Sequence, residues 1–474
     1  MKYIFALSLA LIANIVSAQV DIKVNVTNYF NAPVVMGYYY NGTMLVKDTV
    51  ITNDKGLAHF KQRDKYDEGI YLIYFPDKTY FDIIIGDDQS FELTCDTLPN
   101  PAKRAKVKGC QMLTDFLEYQ NYLGDRQQKI HELSEQYKTA EGNDQLRAKI
   151  KTEYSDIDKE IKQKNNDMIA ANANNCLGIF LDGLREIEVP EIKVDAPTQA
   201  LSDSLSRMKG YYYYRNHYFD NLHLTDDRIL RTPYFVNKLD RYIDEVLPQT
   251  PDTVAAECLR IIELTKANEE CYRFVTSHLY NHVNNSKIMG MDAALVAIAD
   301  NYYLAGKCPW TEEKFITDLR EQVEKIRYTL VNRKAVDLKK MPSVNKGEYF
   351  TLSEVDAPFT ILVFWEPSCG HCKKEIPALK KEVWDKYAST GIKIFAVYCQ
   401  AEYEPWAEFI EEHQLEEWIN VYDPYRRTNF RTYYNINSTP QIFILDKDKT
   451  IIAKRIGVDQ IGGFLDFHFS NMKK

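Results

Sequence analysis

The sequence has little glycine, 19 of 474 residues, and no apolar run of eighteen residues anywhere after its first eighteen positions. Collagen-like repeats and a multispanning membrane protein are thereby excluded. It also lacks a basic block: 59 Lys and Arg are scattered among 68 Asp and Glu, for a formal net charge of -9. A nucleic-acid binder needs a clustered positive footprint, so no nucleic-acid partner is expected. No cysteine precedes Cys95, which leaves no lipidation site near the N-terminus. What is present is the mix of a chain that buries cores, 45% hydrophobic and 27% charged, with 33 tyrosines suited to sheet surfaces and packed helices. At about 150 residues per domain, the length suggests about three domains.

The first eighteen residues read as a leader rather than as part of the fold. Lys2 supplies a positive start, Ile4 to Val16 is apolar except for Ser8 and Asn14, and Val16-Ser17-Ala18 before Gln19 resembles a small-residue cleavage site. That run is shorter than the roughly twenty residues needed to span a bilayer. The expectation is an exported chain, Gln19 to Lys474, that does not span a membrane. Nine cysteines sent into an oxidising compartment can form disulfides. Setting aside Cys369 and Cys372, the one Cys-x-x-Cys, leaves seven, so at least one thiol stays free or pairs between molecules.

Three regions follow the leader at 1–18. Residues 19–108 read as an all-β, sandwich-like domain: Val20 to Val26 alternates cleanly, and six further short strands are separated by turns such as Asn41-Gly42 and Gly86-Asp87-Asp88. Residues 109–334 read as an all-α domain opening with a long helical hairpin. Its stripes run Phe116-Leu123-Ile130 and Leu146-Ile150-Ile157, and Gly142-Asn143 makes the turn. The Tyr211 to Tyr214 cluster reads as packed surface. Cys110 and Cys176 flank the hairpin almost symmetrically, and buried unpaired thiols are favoured there over a bridge. Residues 335–474 return to alternating strands and helices, a βαβ unit followed by ββα, which is the layout of a thioredoxin fold. Here Phe359–Trp365 is a strand, Cys372–Tyr387 a helix, and Arg426–Tyr434 a further helix.

Chemistry concentrates in Phe364-Trp365-Glu366-Pro367-Ser368-Cys369-Gly370-His371-Cys372-Lys373-Lys374-Glu375-Ile376-Pro377. Cys369 follows a buried strand where a helix begins, so N–H groups and the helix dipole favour its thiolate. Cys372, one turn on, can close a disulfide onto Cys369 and release a reduced product. His371, between the sulfurs, can further stabilise the thiolate. A c-type haem site would need His where Lys373 stands, and a zinc site would need a second ligand pair, so no cofactor or metal is expected.

The Cys-Gly-His-Cys core after Phe-Trp, the Lys-Lys-Glu-x-Pro tail and Thr439-Pro440 ahead of a strand resemble the TlpA/ResA-like periplasmic branch of thioredoxins. The resemblance covers roughly residues 340 to 474. It implies that Cys369 is the nucleophile, Cys372 the resolving thiol and Pro440 a cis-proline facing them, with Trp365 and His371 tuning the site. It also implies that the two N-terminal regions are β-rich and helical domains of the kind that precede such modules. A peroxiredoxin pattern would want Thr where Glu366 stands. Many thioredoxins carry a buried acid where this chain has Val363, so proton transfer must use water or another carboxylate, with Glu366 and Glu375 the nearby candidates. The expected function is thiol–disulfide exchange in the periplasm, in the reductase or isomerase direction. Its partners would be disulfide-containing exported proteins and a membrane or periplasmic electron donor. The alternative is a secreted binding or assembly protein whose thioredoxin module is a redox sensor or docking part.

Overall fold

The computed structural model describes residues 19–472, so the expected leader at 1–18 lies outside the described residues. The chain divides into two compact units, one of residues 19–246 and 265–271, the other of residues 247–264 and 272–472.

The first unit opens with eight strands: β1 (Val20–Val26), β2 (Pro33–Tyr40), β3 (Thr43–Ile51), β4 (Leu57–Gln62), β5 (Gly69–Tyr74), β6 (Tyr80–Ile85), β7 (Ser90–Cys95) and β8 (Lys106–Lys108). They form two four-stranded sheets, ordered β4-β1-β7-β8 and β3-β2-β5-β6. The strict in-out alternation of β1 is the pattern of a strand with one covered face. Beside it, β1 runs parallel to β7 and antiparallel to β4. β8 escapes the sequence pattern because Lys106-Val107-Lys108 offers a single apolar residue.

Helices α1 (Gln111–Thr139) and α2 (Asp144–Ala171) form the hairpin, turned at Gly142, whose φ of 83° suits glycine, and capped by Asn143, which accepts from the N–H of Leu146. Only the base of the hairpin joins the main core. Leu113, Phe116, Leu117 and Tyr119 of α1, with Cys176, Leu177 and Leu181 of α3 (Cys176–Leu184), share one buried cluster with both sheets. Leu133, Ala140 and Ile150 make a separate small cluster near the tip. Cys110 and Cys176 are buried thiols, and all nine cysteines are unbridged. α4 (Gln199–His217) carries Tyr211, whose hydroxyl donates to the Val246 carbonyl at 3.0 Å, beside an exposed Tyr212. Next comes α5 (Phe235–Arg241).

Four further helices follow, α6 (Pro251–Thr265), α7 (Glu269–Asn285), α8 (Asp292–Ile298) and α9 (Glu313–Arg327). Two very short strands, β9 (Met341–Pro342) and β10 (Tyr349–Phe350), pair with each other. The principal sheet follows, ordered β13-β12-β11-β14-β15. β11 (Phe359–Trp365), β12 (Lys393–Tyr398) and β13 (Ile419–Tyr422) are mutually parallel, β14 (Gln441–Asp446) pairs antiparallel with β11, and β15 (Ile451–Lys454) pairs antiparallel with β14. Every residue of β11 is buried because helices or loops cover both faces of this central strand. Phe359, Ile361, Val363 and Trp365 point into one core, and Leu362 and Phe364 into the other.

After β11 comes α10 (Cys372–Ala378), which continues through a π-helical segment, Leu379–Trp384, into α11 (Asp385–Tyr387). Pro377 lacks an N–H and crowds the preceding turn, which accounts for the widening within the single helix expected from sequence. The expected helix at Arg426–Tyr434 is only α13 (Phe430–Tyr433), because Arg426 and Asn429 both take left-handed backbone angles. α12 (Tyr403–Glu412) precedes β13, and α14 (Val458–Met472) closes the chain one turn earlier than Ile461 suggested. Among the described residues, no helix is long and apolar enough to cross a membrane.

Candidate active site

Parallel pairing of β11 with β12 brings the end of β11 to the edge of the sheet, where Cys399 N–H donates to the Trp365 carbonyl at 2.9 Å. The chain then turns tightly, with Cys369 N–H donating to the Glu366 carbonyl at 3.3 Å. It enters the helix at once, with Lys373 N–H donating to the Cys369 carbonyl at 3.1 Å. Cys369 therefore stands at the head of α10, half-exposed, and Cys372 lies in the first turn with no exposed surface. Both are free thiols.

Across from them the Thr439–Pro440 peptide is cis, and the Cys369 thiol donates to the Thr439 carbonyl at 3.2 Å. The Thr439 hydroxyl in turn donates to Oε1 of Glu366 at 3.1 Å. One carboxylate, the cis-proline loop and the dithiol thus form a continuous polar contact.

The two sulfurs have opposite electrostatic surroundings. Burial acts to raise the Cys369 thiol, but the Cys372 and His371 N–H groups, a hydrogen bond with Thr439 and the neighbouring Cys372 thiol outweigh it. The thiol lies below its ordinary value, as expected at a helix start. For Cys372, burial dominates and pushes the thiol up to about 12 despite the Glu366 N–H. One thiol is poised to ionise, and its neighbour is held neutral.

The remaining expected residues fall at different distances from this pair. His371 is exposed, and its backbone N–H is the group that acts on the Cys369 sulfur. Trp365 is wholly buried in the same cluster as Cys372, its ring 5.0 Å from that of Phe409, so it supports the site from beneath. Glu366 touches both the cis-proline loop and, through its N–H, the Cys372 sulfur. Glu375 is partly exposed on α10. Val363 is buried, with no acid in its place. A neighbour overlooked in the sequence is Cys399, which burial pushes up to about 12 and whose surroundings include Arg431, Glu366 and Cys372. Its one legible signal was its place at the end of a strand parallel to the strand leading to Cys369.

A sheet of this order, with a dithiol at the head of the helix after its central strand, defines a thioredoxin-like domain. Comparison with known proteins narrows the class. Residues 331–454 match the AhpC/TSA family. The thiol-disulfide oxidoreductase ResA of Bacillus cereus is 25% identical over 123 residues, covering 25% of this chain and 69% of the relative. The ResA of Bacillus anthracis is 24% identical over the same length. Among solved structures, a domain of a possible thiol-disulfide isomerase from Cytophaga hutchinsonii is 38% identical, covering 30% of this chain and 96% of its own, with a TM-score of 0.29. A thioredoxin-like protein from Bacteroides caccae is 19% identical, covering 59% of this chain and 100% of its own, with a TM-score of 0.43. The C-terminal region is a thioredoxin-like domain, and the protein is a thiol–disulfide oxidoreductase.

Proposed function

We propose that the protein exchanges disulfides in exported proteins through the Cys369/Cys372 dithiol, working in the periplasm as a reductase or isomerase. The observation that carries this reading is the contrast between the two sulfurs: Cys369 half-exposed with a lowered thiol, Cys372 buried with a thiol near 12. Cys369 thiolate attacks a substrate disulfide, forming a mixed disulfide and releasing one substrate thiolate. Cys372 must then lose its proton to attack Cys369 and release the second. Glu366 supports the role of proton acceptor in that step, since it meets the Thr439 hydroxyl and its backbone contacts the Cys372 sulfur. Glu375, further along α10, is the second candidate. His371, Trp365 and Pro440 tune the pair by position.

Three further parts belong to this reading. Residues 1–18 act as a cleaved signal peptide, residues 19–108 and 109–334 form a β-sandwich-like and a helical domain, and a periplasmic or membrane donor re-reduces the pair.

Replacement of Cys372 by Ser tests the assignment. Mixed disulfides should then accumulate on Cys369, visible as adducts on non-reducing gels and by mass spectrometry. Adducts that collect on Cys372 in a Cys369→Ser variant would reverse the roles.

A further inference from the structure

Beside the dithiol, the ends of β12 and β13 enclose a cavity of about 340 Å³. Arg426 and Arg431 line it, together with Gln400, Asn429, Asp423 and Cys399. It adjoins the dithiol loop directly, because Nε2 of Gln400 donates to Oγ of Ser368, the residue before Cys369, at 2.8 Å.

The charge in this cavity is unbalanced. Arg431 donates through Nη2 to the Cys399 carbonyl at 2.6 Å, which fixes the guanidinium by a neutral partner and leaves its other donors uncommitted. Neither arginine has an ion-pair partner among the described residues, whereas Arg104, Arg228, Arg231 and Arg327 each have one. Asp423 is the one carboxylate in the wall, and its oxygens are occupied by the N–H groups of Arg427 and Thr428 and by the Thr428 hydroxyl, at 2.9, 2.7 and 2.7 Å. Cys399 stays a neutral thiol, so it adds no negative charge. The loop also holds Arg426 at a φ of 51°, a conformation that glycine or asparagine adopts more readily than arginine.

We propose that this cavity is a substrate subsite that receives an Asp or Glu side chain lying within a few residues of the cysteine that Cys369 attacks. The inference rests on the exchange activity proposed above. A carboxylate is the ligand best recognised by the free guanidinium of Arg426 together with the remaining donors of Arg431, because a guanidinium presents paired N–H donors to two oxygens. The chemistry of exchange is unchanged: the dithiol gives two electrons and two protons to the peptide disulfide and becomes a disulfide itself. The subsite acts on which disulfide is chosen.

The test uses the pre-reduced full chain in single-turnover reactions with disulfide peptides. One Glu is walked through the four positions on either side of the attacked cysteine, and each peptide is matched by its Gln counterpart. At one or more positions the Glu peptide should react at least about fivefold faster, in keeping with a charge-assisted contact in a solvent-open cavity. That ratio should fall towards one in Arg426→Gln, and also in about 0.5 M salt, where exposed charges are screened. The uncharged 2-hydroxyethyl disulfide should react equally with both proteins. If the wild type reduces it but no Glu/Gln pair differs, or if the preference survives in both Arg426→Gln and Arg431→Gln, the subsite is overturned and the exchange activity stands. If the wild type reduces none of these disulfides, the exchange activity itself fails, and the subsite with it.

Discussion

At the scale of single residues, the site is a division of labour between two sulfurs three positions apart. The spacing and the helix start made Cys369 and Cys372 legible in the sequence, since both follow from local chain geometry. The contribution of His371 was read from its imidazole, whereas the ring is exposed and the backbone N–H faces the sulfur. Side-chain identity says nothing about such a contact. Cys399 and the Glu366–Thr439 contact depend on strand pairing and on a loop 73 residues away, so neither could be placed from sequence. A stabilised thiolate on Cys369 favours the dithiol and so moves the pair to more oxidising potentials, while the buried Cys372 opposes ionisation of the second sulfur. The expected reduction potential lies between those of thioredoxin, about -270 mV, and protein disulfide isomerase, about -180 mV. Equilibration with glutathione buffers, read by alkylation and mass, measures it. A value near about -120 mV would make the protein a primary oxidant instead.

At the scale of elements, periodic patterns carried the reading, and departures from period defeated it. The strands with clean alternation and the long stripes of α1 and α2 were visible because burial alone writes those patterns. β8 and β13 were not, being three and four residues long. Residues 426–434 looked helical in composition, yet the Asp423 carboxylate gathers the N–H groups of Arg427 and Thr428 and shapes a loop instead. The hairpin shows how unevenly one element can be secured. Its outer half rests on Leu133, Ala140 and Ile150, assisted by the Tyr154 hydroxyl donating to the Ile130 carbonyl at 3.1 Å. Truncation of Leu133 to Ala should cost about 2–4 kcal/mol locally. Hydrogen exchange should report it as lost protection in the outer turns of α1 and α2, while amides of β1 and β7 keep theirs. Uniform loss across the first unit would show that the tip and the sheets open together.

At the scale of the whole molecule, neutral thiols are stored in quantity. Burial pushes Cys95, Cys176, Cys258, Cys271, Cys372 and Cys399 up to about 12 from an ordinary value of 9.0. Between those values the unfolded chain sheds these protons and the folded chain keeps them, so stability is intact below about pH 9 and falls as pH rises above it. Melting temperature under reducing conditions should therefore decline from pH 8 to 10. Cys258→Ala should shallow that slope, since one buried thiol accounts for roughly 1 kcal/mol at pH 10. An unchanged slope would show that Cys258 ionises freely in the fold.

The ammonium of Lys454, on the last strand of the principal sheet, is buried and paired with the Asp292 carboxylate of α8; burial lowers its affinity for the proton, and that carboxylate opposes the effect. Asp292 lies outside the 331–454 stretch that matches the AhpC/TSA family. A buried charge stripped of its counterion is among the costlier defects a fold can carry. The redox module is therefore tied by an ion pair to a residue outside the family-matched stretch. Cut free from residue 335 onward, it would lose the Asp292 counterion together with the Met289–Asp292 segment that covers Lys454, leaving that ammonium to water on the outer strand of the sheet unless a transplant brings α8 along.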